Sequence, residues 1–297
     1  MNIKIRTFFF VFLAMTLSSS LYAQMQRVTL ANAKQIGDFF NSTTMLVMDA
    51  NPFTGFNFAS NEGMKKYWTI TPWEVISFEQ FETMRTDSKL SFIFMSKVKL
   101  DTDRSRGRDV EYLYMNIVMG GNARTLTAMP ELLSIPLAYT GVDEDAYIEK
   151  LPLMIRFAQI HLNNLKNAPN ARALRRTFDL KNYSDAAIEL KDMTLLVLQS
   201  DLAEEVNTLE KIQAVYPGIV KIVSPEELEL AIVEHSANTA ILHQIGPSED
   251  DNTGRSYCQI YGTNDARLHY FNHYSIRVRR PEGMLARDFR LILGRWF

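Results

Sequence analysis

The residue types that carry catalysis are thinly spread along this chain. Its five histidines are His161, His235, His243, His269 and His273, and Cys258 is its single cysteine. A metal ion needs three or four such donors converging on one point. His269 and His273 lie four apart in a strand-like stretch and so share a face, but the rise of a strand separates them by roughly 13 Å, too far for one ion. Cys258 could meet His243 or His269 only from neighbouring strands, and polar positions on a sheet explain the same residues more simply. The lone thiol, set among Tyr257, Ile260 and Tyr261, reads as a small buried apolar group. There is no Gly-x-x-x-x-Gly-Lys-Ser/Thr loop, Gly-x-Gly-x-x-Gly turn, Gly-x-Ser-x-Gly elbow or His-Glu-x-x-His helix. The expectation is therefore no resident metal, no cofactor and no catalytic residue that can be named.

Binding chemistry is better represented. Residues 201–234 hold eight acids against two lysines, and residues 255–297 hold eight arginines against Asp265, Glu282 and Asp288. Arg277 and Arg279 alternate along a strand pattern, and Arg287 and Arg290 are neighbours across one helical turn. These arginines either pair with the acidic helices or form a surface for an acidic partner. A second cluster, Phe53, Phe56, Phe58, Tyr67, Trp68 and Trp73, crowds into residues 51–73. Residues 51–63, rich in Phe, Asn and Gly, read as a loop with at most a short helix, so the aromatics serve either the core or a partner surface. The candidate partner-binding residues are thus Arg277, Arg279, Arg287, Arg290, Phe53, Phe56, Phe58, Trp68 and Trp73. The partner they suggest is another envelope protein or an anionic envelope polymer. A formal net charge of −2 gives no general pull toward nucleic acid.

The elements that must position these residues occur twice. A β-branched run ending in Ser and followed by an acidic helix start appears in residues 73–87 and again in residues 220–236, with Val75-Ile76-Ser77-Phe78-Glu79 lying over Ile222-Val223-Ser224-Pro225-Glu226. Ser77 with Gln80, and Ser224 with Glu227, have capping-box spacing. Residues 30–49 lie over 180–199 at an offset of 150, and the Gly120 region over Gly262 at 142. Each copy reads as a buried strand, a connection, a second strand, a helix, a third strand, an antiparallel pair and a closing helix. In the second copy the first connection reads as an amphipathic helix over residues 202–215, through Leu202, Val206, Leu209 and Ile212. The predicted fold class is α/β (α+β): two tandem, duplicated β-α-β-α-β-β-α sandwich domains, residues 24–167 and 180–297, joined by a linker over 168–179. The order resembles small α/β sandwiches, thioredoxin-like topology among them. With no Cys-x-x-Cys the redox chemistry of that family does not carry over.

Residues 1–23 have the pattern of a cleaved secretory signal peptide: Lys4 and Arg6, an apolar stretch over 8–15, then small residues ending at Ala23. That apolar stretch falls well short of the roughly 20 residues that span a bilayer. A single cysteine excludes any intrachain disulfide. The expectation is an exported protein, periplasmic or secreted, with no transmembrane anchor in the mature chain. Its first functional reading is a non-catalytic binding or assembly protein of the bacterial periplasm or cell envelope. The alternative is a secreted or periplasmic hydrolase with its site in the cleft between the copies.

Overall fold

A computed structural model describes residues 28–99, 110–247 and 254–294. The expected signal peptide, residues 1–23, and most of the two charged loops, residues 101–109 and 248–255, lie outside the described residues. The chain forms two five-stranded mixed sheets with helices, an α/β architecture. The first contains β1 (Thr43–Val47), β2 (Trp73–Ile76), β3 (Leu90–Lys99), β4 (Glu111–Met119) and β5 (Glu131–Tyr139), in the order β2-β1-β3-β4-β5. The second contains β6 (Thr194–Val197), β7 (Ile219–Ile222), β8 (Thr239–Ile245), β9 (Arg255–Gly262) and β10 (Leu268–Ser275), in the order β10-β9-β8-β6-β7. Read from its first strand, each sheet has the same plan. Two parallel neighbours flank the first strand, and the third strand continues into an antiparallel meander.

The helix starts that precede the third strands form as expected. Ser77 caps α3 (Phe78–Met84) and Ser224 caps α8 (Pro225–Val233), each with a complete capping box to Gln80 or Glu227. The connections between first and second strands reverse the expectation. Residues 51–63 are not a loop, because α2 (Gly55–Tyr67) runs for 13 residues from a Thr54 cap. Its buried stripe is Phe56, Ser60, Gly63 and Met64, a helical spacing hidden by two small residues that carry no apolar signal. Gly63 is needed there, since a Cβ would sit 2.6 Å from Ile155 Cδ1 on α5 (Leu151–Lys166). In the second half the expected helix over 202–215 shrinks to α7 (Leu209–Gln213), preceded by a short 3-10 turn at Glu204–Val206. Leu202 is held extended by a bridge to Met284, with Ala203 N–H donating to Met284 O at 3.1 Å. The helix cannot begin before Thr208, which caps it. The segment 168–179, expected as a plain linker, contains α6 (Ala171–Phe178). It leads into a 3-10 stretch, Leu180–Asp192, that packs along β10.

The faces of the two sheets show how the halves correspond. Leu46 and Ile93 share a cluster with Phe56 and Met64 of α2, whereas Met45, Val47 and Phe92 cluster with Phe81 of α3. In the second sheet Leu195, Val197 and Leu242 cluster with Ile212 of α7, and Leu196 and Ile241 with Leu228 and Ile232 of α8. An offset of 150 pairs Leu46 with Leu196, which face opposite sides relative to these helices. A match by structure must slip by one residue in the first strand, since one position in a strand changes the face.

The halves do not sit apart. The largest core cluster contains α1 (Ala33–Phe39), α2, α5, β4 and β5 residues together with Tyr257, Tyr261, Leu268 and Phe271 of the second sheet. Across this junction Phe157 packs edge-on against Tyr261 at 5.5 Å, and Tyr114 and Tyr257 share a 2.6 Å hydroxyl–hydroxyl bond. His243 and Gln259 donate to the Leu137 and Pro136 carbonyls of edge strand β5, each at 2.9 Å. Among the described residues no helix is long and apolar enough to cross a membrane.

Candidate functional site: an arginine-lined pocket

The turn after β10 and the short helix α9 (Ala286–Ile292) build the most charged pocket of the second half. β10 ends at Ser275, so Arg277 and Arg279 lie in a tight turn and not on a strand face. The turn is closed by reciprocal backbone bonds between Arg277 and Arg280, at 3.0 and 2.7 Å. Tyr274 anchors it, donating to the Pro281 and Gly283 carbonyls, while the Arg280 guanidinium stacks 4.6 Å from the Tyr274 ring centre. Gly283 is required for its φ of +100° and because a Cβ would meet Ala203 N at 2.6 Å. Asp288 then fixes α9 from within. It accepts from Leu285 N, Tyr270 Oη and Asn272 Nδ2, three bonds that hold the buried carboxyl in place.

The result is a cavity of about 530 Å³ lined by Arg279, Arg280, Arg287 and Arg290 with Glu204, Glu205 and Leu285. Glu205 is committed elsewhere, since its Oε1 accepts from Ala286 N at 2.8 Å. None of the four guanidiniums makes an ion pair to a carboxylate among the described residues; the second half's arginine pair there joins Arg267 to Glu189. Three of the four arginines singled out from the sequence therefore converge. Arg277 lies one turn position away, and Arg280 takes the place assigned to it. Glu204 and Glu205 of the acidic stretch do face these arginines across the pocket, but without closing to ion-pair distance among the described residues.

The aromatic cluster separates. Phe56 is fully buried and Trp68 is buried, its Nε1 donating to Thr71 Oγ1 at 2.8 Å and its ring set edge-on to Phe39. Both belong to the core and cannot meet a partner. Trp73 is half-buried on β2. Phe53 (92% exposed) and Phe58 (75% exposed) remain as a surface pair at the start of α2.

Titratable groups gather elsewhere, between the halves. Lys150, at the α5 start, is buried with one hydrogen bond, to Ala146 O, and burial pulls its ammonium pKa down. Burial pushes the Asp201 carboxyl up to about 6, with Lys150 opposing. His243, fully enclosed, is driven well below its ordinary value, first by burial and then by Lys150. Asp201 Oδ2 and His243 Nδ1 are buried with no hydrogen-bond partner. Lys150 and His243 are both buried in the core. Cys258 is buried, its thiol pKa pushed far up, and His161 is held down at about 4 while bonded to Leu132 O and Tyr183 Oη. Among the described residues no group of three or more His, Cys, Asp or Glu side chains could hold a metal ion.

Comparison with protein-family models, with curated proteins and with solved structures returned no match to this chain.

Proposed function

We propose that this chain is an exported, non-catalytic binding or assembly protein of the bacterial periplasm or cell envelope, which holds an acidic partner in its arginine-lined pocket. The observation that carries the reading is the convergence of Arg279, Arg280, Arg287 and Arg290 on one cavity, without a carboxylate partner among the described residues. Guanidiniums left unpaired at a preformed concavity are suited to forked hydrogen bonding of carboxylate or phosphate groups. Export rests on the leader pattern of residues 1–23 alone. The shared strand order of the two sheets supports descent of both halves, residues 24–167 and 180–297, from one unit. The exposed Phe53 and Phe58 offer a second contact area on the first half, which suits a scaffold that touches more than one partner.

The test is titration of the mature protein with a fluorescein-labelled oligo-aspartate peptide. The triple variant Arg279→Gln, Arg287→Gln, Arg290→Gln should lose about tenfold or more in affinity. Its melting temperature should move by no more than about 2 °C, because no folded-state ion pair is removed. Equal binding by the variant, or a collapse of its stability, sinks the proposal.

A further inference from the structure

The outer face of the first sheet carries a groove that the arginine pocket does not account for. It has a volume of about 370 Å³, with walls of Phe94, Val98, Val118, Leu126 and Met129. Its floor is a polar trio from three strands, Ser96 of β3, Asn116 of β4 and Ser134 of β5, with Asn116 and Ser134 directly opposite in the register. That trio is internally satisfied: Asn116 Nδ2 donates to Ser96 Oγ at 2.8 Å and Asn116 Oδ1 accepts from Ser134 Oγ at 2.9 Å. Two charged residues line the groove, Glu131 and Lys97. Glu131, first residue of β5, makes no side-chain hydrogen bond or ion pair among the described residues, although its backbone is fixed by bonds to Thr29 O and Ala31 N. Lys97 is exposed to solvent, whereas Glu131 is partly buried.

We propose that this groove binds a cationic amphiphile, an apolar chain ending in a primary ammonium, with the chain against Phe94, Val118 and Met129 and the ammonium on the Glu131 carboxylate. The apolar walls select the chain. The head group follows from charge complementarity, since a carboxylate without a partner in a desolvated wall gains more from a cation than from water or an alcohol. Burial alone holds the Glu131 carboxyl up at about 7, and an arriving ammonium would return it to the charged form. The position of the groove in the fold points the same way. The matching face of the second sheet, the α8 side with Tyr257, Gln259 and Tyr261, is covered by the first half, so this type of face is built to be covered.

The experiment is calorimetric titration of the mature protein with decylamine, with decanol and decanoate as the alternative head groups. Decylamine should bind at one site, about tenfold or more tightly than decanol, and decanoate should not compete. Glu131→Gln should erase the preference for the amine while decanol binding stays. Ser134→Leu, which fills the floor, should abolish binding of both. The proposal fails if decylamine shows no saturable binding, or if Glu131→Gln binds it as wild type does. It also fails if the protein is a dimer that Glu131→Gln dissociates without any amine binding, which would give the groove to a second copy.

Discussion

Glu131 offers a quantitative test that needs no ligand. The carboxyl is held up at about 7 against an ordinary 4.5, with burial as the cause. The folded state therefore binds this proton more tightly than the unfolded chain does. The stabilising effect of the neutral acid is fully present below the unfolded value, and is lost as pH rises from about 4.5 through about 7. The difference amounts to about 2–3 kcal/mol, taking 1.36 kcal/mol for each tenfold change and discounting for the partial exposure of the side chain. Glu131→Gln keeps the shape and removes the titration. At about pH 3.5, below the unfolded value, the variant and wild type should be equally stable, whereas at about pH 8.5 the variant should be more stable by that amount. For a chain of this size the gap corresponds to about 5 °C in melting temperature. Urea denaturation at both pH values gives the number directly, and comparing the two proteins cancels every other titrating group. An equal offset at both pH values, or none at either, would refute the argument that this carboxyl is buried without a partner.

Three further outcomes follow from other positions. Gln259→Leu strips Pro136 O and Tyr261 Oη of their partner at the junction between the sheets, and should cost about 2–3 kcal/mol in urea denaturation, with both halves unfolding together. Trp68→Ala should cost about 3–5 kcal/mol as a core truncation. Phe53→Ser, at an exposed position, should change stability by less than about 0.5 kcal/mol, a contrast that thermal melts resolve.

Local chemistry was legible in the sequence wherever a few adjacent residues decide the outcome. Ser77 and Ser224 cap their helices because the oxygen, the third-position Gln or Glu and the backbone amides all lie within one turn. The apolar strands around Leu46 and Leu196 were equally clear. What escaped depends on partners far along the chain. α2 was hidden because Ser60 and Gly63 are buried for closeness to α5, a reason invisible until Ile155 is placed against them. The helix expected from Leu202 is prevented by Met284, more than eighty residues on. The one-residue slip between Leu46 and Leu196 went unseen because a buried strand is apolar on both faces, so its pattern does not say which side is which. Site residues followed the same division. Arg287 and Arg290 were neighbours by helical spacing, and Arg279 came close by chain proximity. Glu131 gave no signal, because its isolation is created by the β3-β4-β5 register and not by its neighbours in sequence.

The stacking of the halves explains why the two candidate surfaces lie where they do. The α2 and α5 side of the first sheet meets the α8 side of the second, so unlike faces join and the two units are stacked in the same sense. Such a contact differs from a two-fold junction, in which like faces meet and the two faces left open are also alike. Stacking in one sense necessarily leaves one α3-type face open on the first unit and one α7/α9-type face open on the second. The second of these is finished as a terminal surface, with Arg287 and Arg290 outward and Phe289 and Ile292 inward, as end units of stacked proteins require. The first is not, since it retains the apolar groove and Glu131, whose carboxyl has no partner among the described residues. The arginine-rich outer layer on one side and the apolar groove on the other are therefore unlike surfaces, and the two proposed ligands, one acidic and one cationic, would bind on opposite ends of the stack.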